Sequence, residues 1–318
     1  MKILYGINGE GLGHLNRSNL IINELRKLGH EVVKACPYDL NQKDGFIPIK
    51  SIRLDFKDGK LNKEKVVTDF LEFNFNMEMD IIHSSGLRFD LAITDFEPVV
   101  ARYARKWDIP LISIDNQHRF SSIDFKLPAK YLAYSSFLYL LLKIFIGRVD
   151  KSIVTCFHPS PNSCEVICED GEVTNDGSII VYLKDNYIEE FLKSDHNGDF
   201  HIFTNLKKKD RGNMKFYQLD KDLFKEKLRS CHSVISNAGN QIIGECLYYN
   251  KAITCIPIKG QIEQEINSFY LSKYGFGVST NMENLAADCY FLPNRNLPNV
   301  YPENGLTQVI RELDEWIK

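Results

Sequence analysis

His14 stands directly behind the glycine-rich run Gly9-Glu10-Gly11-Leu12-Gly13, with Arg17 one helical turn further on. Glycines let a backbone turn tightly and let a ligand come close to it, here at Gly11 and Gly13. A helix opening at such a loop presents N–H donors and the positive end of its dipole, which suits a phosphate. A histidine there is placed to act as a general base. The spacing G-x-G-x-G-H departs from the dinucleotide fingerprint, which has G-x-G-x-x-G and an acid about 20 residues later. Without His14 the run would read as a plain strand-to-helix turn.

Two further polar clusters each follow a strand-like run. Asp95-Phe96-Glu97-Pro98 follows DLAIT, and Asp115-Asn116-Gln117-His118 follows PLISI. Asp95 and Glu97 join His14 as catalytic candidates, since either carboxylate is able to orient an imidazole. As a metal site they are incomplete, and no metal or cofactor is expected. Asp115, Asn116 and His118, with Arg17, are candidates for acceptor contacts. The plainer reading of that tetrapeptide is a polar turn. In the second half, Ser236-Asn237-Ala238-Gly239-Asn240 opens another helix and aims N–H groups at an anion, most simply a phosphate. Glu245 lies less than two turns in and by position alone is a solvated helix residue. Glu263 and Gln264 sit at the start of a further helix, where they suit sugar hydroxyls or merely cap it. Cys156, His158, Cys164 and Cys168 do not have a zinc-ligand spacing.

These residues need elements to hold them, and the chain alternates strand-like with helix-like segments almost throughout. KILYGI is followed by a helical run from residue 15 that ends at Gly29, then by HEVVKAC. One long helix is expected between Leu61 and His83. DLAIT, PLISI and SIVTC are strands separated by helices, with 129–146 helical. After a Pro-, Ser- and Asn-rich stretch the pattern restarts, with SIIVYL, DFHIFT, KFYQL, SVIS and AITCIP as strands. Strands separated by helices form parallel sheets with right-handed crossovers. The fold class expected is α/β, with two doubly wound, Rossmann-like parallel-sheet domains facing a cleft. The boundaries read as 1–160 for the N-terminal domain, 161–176 for a linker, 177–302 for the C-terminal domain and 303–318 for a last helix.

Composition excludes several classes. The 318 residues carry 39 Lys and Arg against 42 Asp and Glu, a formal charge of −3. The first 150 residues are net +2 and the rest net −5. There is no basic excess for nucleic acid, and Lys207-Lys208-Lys209-Asp210-Arg211 reads as a solvated loop. Eight cysteines are too sparse for a disulfide scaffold, so a cytoplasmic, reduced protein is expected. The opening apolar run, Ile3 to Ile7, is too short for a secretory signal. No run reaches the ~18–20 residues of a membrane span. The most apolar stretch, Phe137–Ile146, is expected to pack on the first sheet. Its alternative role is peripheral contact with a bilayer or a lipid-linked acceptor at the inner membrane face.

The motif G-x-G-x-G-H-x-x-R, together with residues 236–278, resembles the GT-B glycosyltransferases. Within them it is similar to the family 28-like group related to the peptidoglycan N-acetylglucosaminyl transferase. The resemblance covers most of the chain. It implies a metal-independent hexosyltransferase that moves a sugar from a nucleotide diphosphate donor, expected to be UDP-linked, to a hydroxyl acceptor such as a glycan or lipid-linked sugar. By the same resemblance, Gly239 with Asn237, Ala238 and Asn240 would meet the donor phosphates. Glu245 would accept from the ribose diol, Glu263 and Gln264 would meet the sugar, and His14 would face the reaction centre and invert the anomeric carbon. The last helix would pack toward the first domain. The rival classes are a nucleotide-sugar epimerase of the same fold and a non-catalytic nucleotide-sugar binding protein.

Overall fold

The computed structural model describes residues 1–9, 12–37, 45–52, 56–57, 60–121, 127–160, 163–194, 196–285 and 303–317. The chain divides into two compact units, Met1–Ile167 with Gly305–Lys318, and Cys168–Asn304.

The first unit is built on a seven-stranded sheet. Its strands are β1 (Lys2–Ile7), β2 (Glu31–Cys36), β3 (Phe46–Pro48), β6 (Leu91–Asp95), β7 (Leu111–Asp115), β8 (Lys151–Thr155) and β9 (Ser163–Cys164). A two-stranded antiparallel ribbon, β4 (Phe56–Lys57) with β5 (Lys60–Leu61), stands apart from it. The sheet order is β3-β2-β1-β6-β7-β8-β9, and every neighbouring pair is parallel. Strand order therefore reverses between β1 and β6, the place where doubly wound sheets bind ligands beyond their carboxyl ends. Helices α1 (Leu12–Lys27), α2 (Lys63–Glu72), α3 (Phe75–Ser84), α4 (Pro98–Lys106) and α5 (Leu132–Phe145) link the strands.

Alternation along β1 builds both layers of this unit. Ile3, Tyr5 and Ile7 point into a cluster with Ile21, Ile22 and Leu25 of α1, while Leu4 joins Val99 and Val100 of α4. Each large aliphatic so buried contributes about 1.5–3 kcal/mol. Gly6 permits the close approach of α4: a Cβ there would lie 2.7 Å from the Val100 Cβ.

The long helix expected over 61–83 is two helices. The chain leaves helical geometry at Phe73, and Asn74 caps α3 by accepting from the Met77 N–H. The stretch expected as a linker carries β9, and Val166, Ile167 and Cys168 within it are buried. The last helix, Gly305–Ile317, belongs to the first unit.

The second unit has a six-stranded parallel sheet. In chain order its elements are β10 (Ile179–Tyr182), α6 (Asp185–Phe191), β11 (Phe200–Phe203), β12 (Met214–Tyr217), α7 (Lys221–Ser230) and β13 (Ser233–Ser236). They continue with α8 (Asn240–Tyr248), β14 (Ala252–Cys255), α9 (Ile262–Lys273) and β15 (Val278–Ser279). The sheet order β12-β11-β10-β13-β14-β15 reverses between β10 and β13. Helix α10 (Gly305–Ile317) then returns to the first unit, where Val309 and Leu313 enter the cluster of Ile3 and Tyr5. Among the described residues, no helix is long and apolar enough to cross a membrane. The seven described cysteines are buried.

Candidate active site

His14, Arg17 and Ser18 are spaced i, i+3, i+4 in the first turns of α1, so they share one helix face. That face meets the end of β6. β1 and β6 run in parallel register with Ile7 opposite Asp95, which brings residue 95 beside a helix that starts five residues after β1 ends.

Asp95 gathers the three side chains. His14 Nδ1 lies 2.8 Å from its Oδ1, Arg17 Nε donates to Oδ2 at 2.8 Å and Ser18 Oγ donates to Oδ2 at 2.9 Å. A second Arg17 nitrogen, Nη2, also donates to Oδ1 and lies 2.9 Å from the His14 ring nitrogen. Asp95 is fully buried, while His14 keeps 12% of its side chain exposed, enough to reach a ligand. Burial alone would raise the Asp95 pKa. The Arg17 guanidinium, with His14 and the hydrogen bonds, overrides this and holds the carboxyl well below the usual range. Asp95 is thus held as an anion beside one ring nitrogen of His14, which leaves the other nitrogen outside this contact.

The bend after Asp95 is held as well. Phe96 has φ +53°, unusual for a residue with a large side chain. Its carbonyl accepts from Asn8 Nδ2 at 2.8 Å, and the Asn8 N–H donates to the Asp95 carbonyl at 3.2 Å. Glu97 does not join the cluster. Its Oε2 accepts from the Val100 N–H at 2.8 Å and caps α4, with Pro98 at the first helical position. Burial pushes its pKa up to about 8.

At the end of β7, Asp115 makes a second pair. Its Oδ1 accepts from the His118 N–H at 2.8 Å and its Oδ2 lies 2.7 Å from His118 Nδ1. Ser113 Oγ is 3.1 Å from the same ring nitrogen. Asp115, Asn116 and His118 are all buried.

In the second unit the loop after β13 is pinned from three sides. Asn237 Oδ1 accepts from the Lys184 N–H at 2.9 Å, and its Nδ2 donates to the Ile256 carbonyl at 2.8 Å. Asn267 Nδ2 donates to the Ala238 carbonyl at 2.9 Å. Gly239 is the N-cap of α8 and brings no capping side chain. Asn240, the first helical residue, is buried. The solvated reading of Glu245 does not hold: it is 7% exposed and accepts from Gln241 Nε2 at 2.8 Å. Burial raises its pKa. Gln264 Oε1 accepts from the Ile258 N–H at 2.9 Å, and Glu265 Oε1 accepts from the Gly260 N–H at 3.2 Å. Glu263, half-buried, begins the same helix.

Gly13 lies in the first turn of α1 with open space where a Cβ would stand, and Gly11 lies outside the described residues. The sequence reading missed Ser18 and Asn8. Ser18 carries a signal, its spacing from His14. Asn8 has none, because its partner is 88 residues away. Among the described residues no three His, Cys, Asp or Glu side chains group to hold a metal ion.

The model of the family described as glycosyl transferase family 1 matches residues 1–293. The chain belongs to that family. The GT-B fold expected for a glycosyltransferase is the fold observed, and several solved structures share it. The glycotransferase of kitacinnamycin is 15% identical with TM-score 0.64, covering 99% of this chain and 95% of that one. MurG of Acinetobacter baumannii is 13% identical with TM-score 0.58, covering 99% of each chain. The glycosyltransferase SsfS6 of Streptomyces sp. SF2575, solved with thymidine diphosphate, is 13% identical with TM-score 0.60, covering 99% and 96%. No curated protein matches the chain. The glycosyltransferase thus carries its imidazole–carboxylate pair at the switch point of the first sheet and a pinned helix start at that of the second.

Proposed function

We propose that this glycosyltransferase moves a sugar from a nucleotide diphosphate donor to a hydroxyl acceptor with inversion, using His14 as the base. The observation that carries the proposal is the buried Asp95 carboxylate 2.8 Å from His14 Nδ1. With Nδ1–H held by Asp95, the lone pair of Nε2 takes the proton of the acceptor hydroxyl. The acceptor oxygen attacks the anomeric carbon from the face opposite the diphosphate. The bond to the diphosphate oxygen breaks, and the nucleoside diphosphate leaves with the electron pair. Asp95 stabilises the imidazolium, and one displacement inverts the anomeric configuration.

In the second unit, the start of α8 after Gly239 receives the diphosphate and disperses its charge. Glu245, kept in place by Gln241, accepts from the ribose diol, while Glu263 and Gln264 meet the sugar. The thymidine diphosphate bound to SsfS6 supports a nucleoside diphosphate here. The first donors to test are UDP-linked hexoses. The proposed chemistry calls on no metal, because the helix start after Gly239 takes up the charge of the leaving diphosphate.

The test has two stages. A thermal-shift panel of nucleotide sugars identifies the donor, because a ligand of the folded state raises Tm. Transfer is then assayed with and without acceptor mixtures, and the product anomer is read by NMR. His14→Ala should lower turnover ~10²–10⁴-fold with donor affinity nearly intact. A donor epimerised without acceptor, or bound and never turned over, refutes transfer. Turnover surviving His14→Ala within a few-fold refutes the base.

A further inference from the structure

We infer that the outer face of α5 is a docking surface for an anionic lipid bilayer. The helix has two unlike sides. Leu141, Leu142 and Phe145 are buried in the first unit, and Phe145 stacks on Phe70 of α2 at 5.2 Å between centroids. Among the described residues, the opposite side has no such partner. Leu132 and Leu140 are each 53% exposed, Tyr139 41% and Ile144 39%. At positions 132, 139, 140 and 144, with Ser136 and Lys143 between them, these four follow helical spacing, so they form one stripe. An exposed apolar stripe of this kind marks a contact surface.

Charge selects the occupant. From Leu127 to Val149 the chain carries Lys130, Lys143 and Arg148 and no carboxylate. All three cations are exposed. Lys130 lies over the Tyr131 ring at 4.6 Å and Lys143 over the Tyr139 ring at 5.3 Å. Exposed apolar side chains beside Tyr139 and flanked by lysines match the layering of a membrane interface, with acyl chains beneath and phosphate above. A second copy of this chain is the poorer fit. A two-fold contact through the stripe would set Lys143 and its neighbours against cations of the same face, with no acid on the stripe to pair them. The proposal rests on the exposed side of α5 and not on the proposed chemistry, so its test needs neither donor nor acceptor.

The experiment is flotation of the full chain with vesicles of phosphatidylcholine alone and of phosphatidylcholine mixed equally with phosphatidylglycerol. The protein should float with the anionic vesicles and far less with the neutral ones. Leu140→Ser with Ile144→Ser should weaken binding at least about tenfold. Lys130→Gln with Lys143→Gln should weaken binding to anionic vesicles about fivefold per lysine. All four side chains are exposed, and an unchanged circular dichroism melt shows that the variants fold. Three results overturn the inference: no flotation of the native protein, flotation indifferent to the leucine and isoleucine changes, or flotation indifferent to lipid charge. A dimer in sedimentation equilibrium that the same apolar changes dissolve, with vesicles ignored, assigns the face to a second copy instead.

Discussion

Replacing Asp95 by asparagine tests the centre of the first unit, because it keeps the shape and removes the charge. Four donor groups converge on this carboxylate: His14 Nδ1, Arg17 Nε, Arg17 Nη2 and Ser18 Oγ. An asparagine offers one acceptor oxygen and turns an NH₂ toward the remaining donors. Arg17, only 6% exposed, is left as a buried cation without its anion. Losing one partner of a buried ion pair costs about 3–5 kcal/mol. For a domain of this size that is a fall in Tm of roughly 6–20 °C. His14 also loses the acceptor that fixes its ring, so turnover should fall ~10²–10⁴-fold even in the fraction that stays folded. His14→Ala should show the same kinetic loss with a much smaller change in Tm, since it strands no charge. The decisive measurement is the double-mutant cycle in kcat, at a temperature where all four proteins are folded. If Asp95 acts through His14, the double variant turns over within a few-fold of either single variant. Losses that multiply would refute the coupling, and a Tm unchanged by Asp95→Asn would refute the buried ion pair.

Three further outcomes follow from other positions. Glu97 holds a proton in the folded chain up to about pH 8 but releases it in the ordinary carboxyl range when unfolded. Its contribution to stability is therefore full below the ordinary value and lost as pH rises to about 8, a change of a few kcal/mol. Glu97→Gln cannot ionise and still caps α4, so melts followed from about pH 5 to about pH 8 should fall less for the variant than for the native protein. Glu245→Ala should weaken nucleotide-sugar affinity by roughly one to two orders of magnitude in calorimetry. An unchanged affinity would remove Glu245 from the donor site. Gly305→Ala should lower Tm, because the added Cβ would fall 2.0 Å from the Glu165 carbonyl oxygen. The cost is about 1–3 kcal/mol, read by thermal denaturation.

The alternation of strand and helix made both parallel sheets legible, since burial on two faces leaves near-continuous apolar runs such as KILYGI and DLAIT. The short edge strands Phe46–Pro48, Ser163–Cys164 and Val278–Ser279 were not legible, because two or three residues carry no period. The break at Phe73-Asn74 was hidden for a different reason. Apolar residues continue across it, and the only local signal is an asparagine that helix interiors also tolerate. His14 was legible from its glycine loop. Its attachment to Asp95 was not, because that contact spans 81 residues and depends on β1 and β6 becoming neighbours. Glu97 was indistinguishable from Asp95 in sequence. Two residues on, it points along α4 instead of toward α1. Glu245 looked like any helix glutamate until its neighbours buried it.

The return of α10 sets an order on biosynthesis. The second unit, Cys168–Asn304, is continuous in sequence and is complete on the growing chain once Asn304 emerges. The first unit is discontinuous: its sheet and its His14–Asp95 pair are made early, yet Val309 and Leu313 of its core come only after all of the second unit. Until then the cavity beside Ile3, Ile21 and Leu25 lies open, an apolar surface that folding helpers or premature association can occupy. A ribosome-bound chain stalled just before α10 should therefore expose an apolar site in its first unit that the finished protein does not.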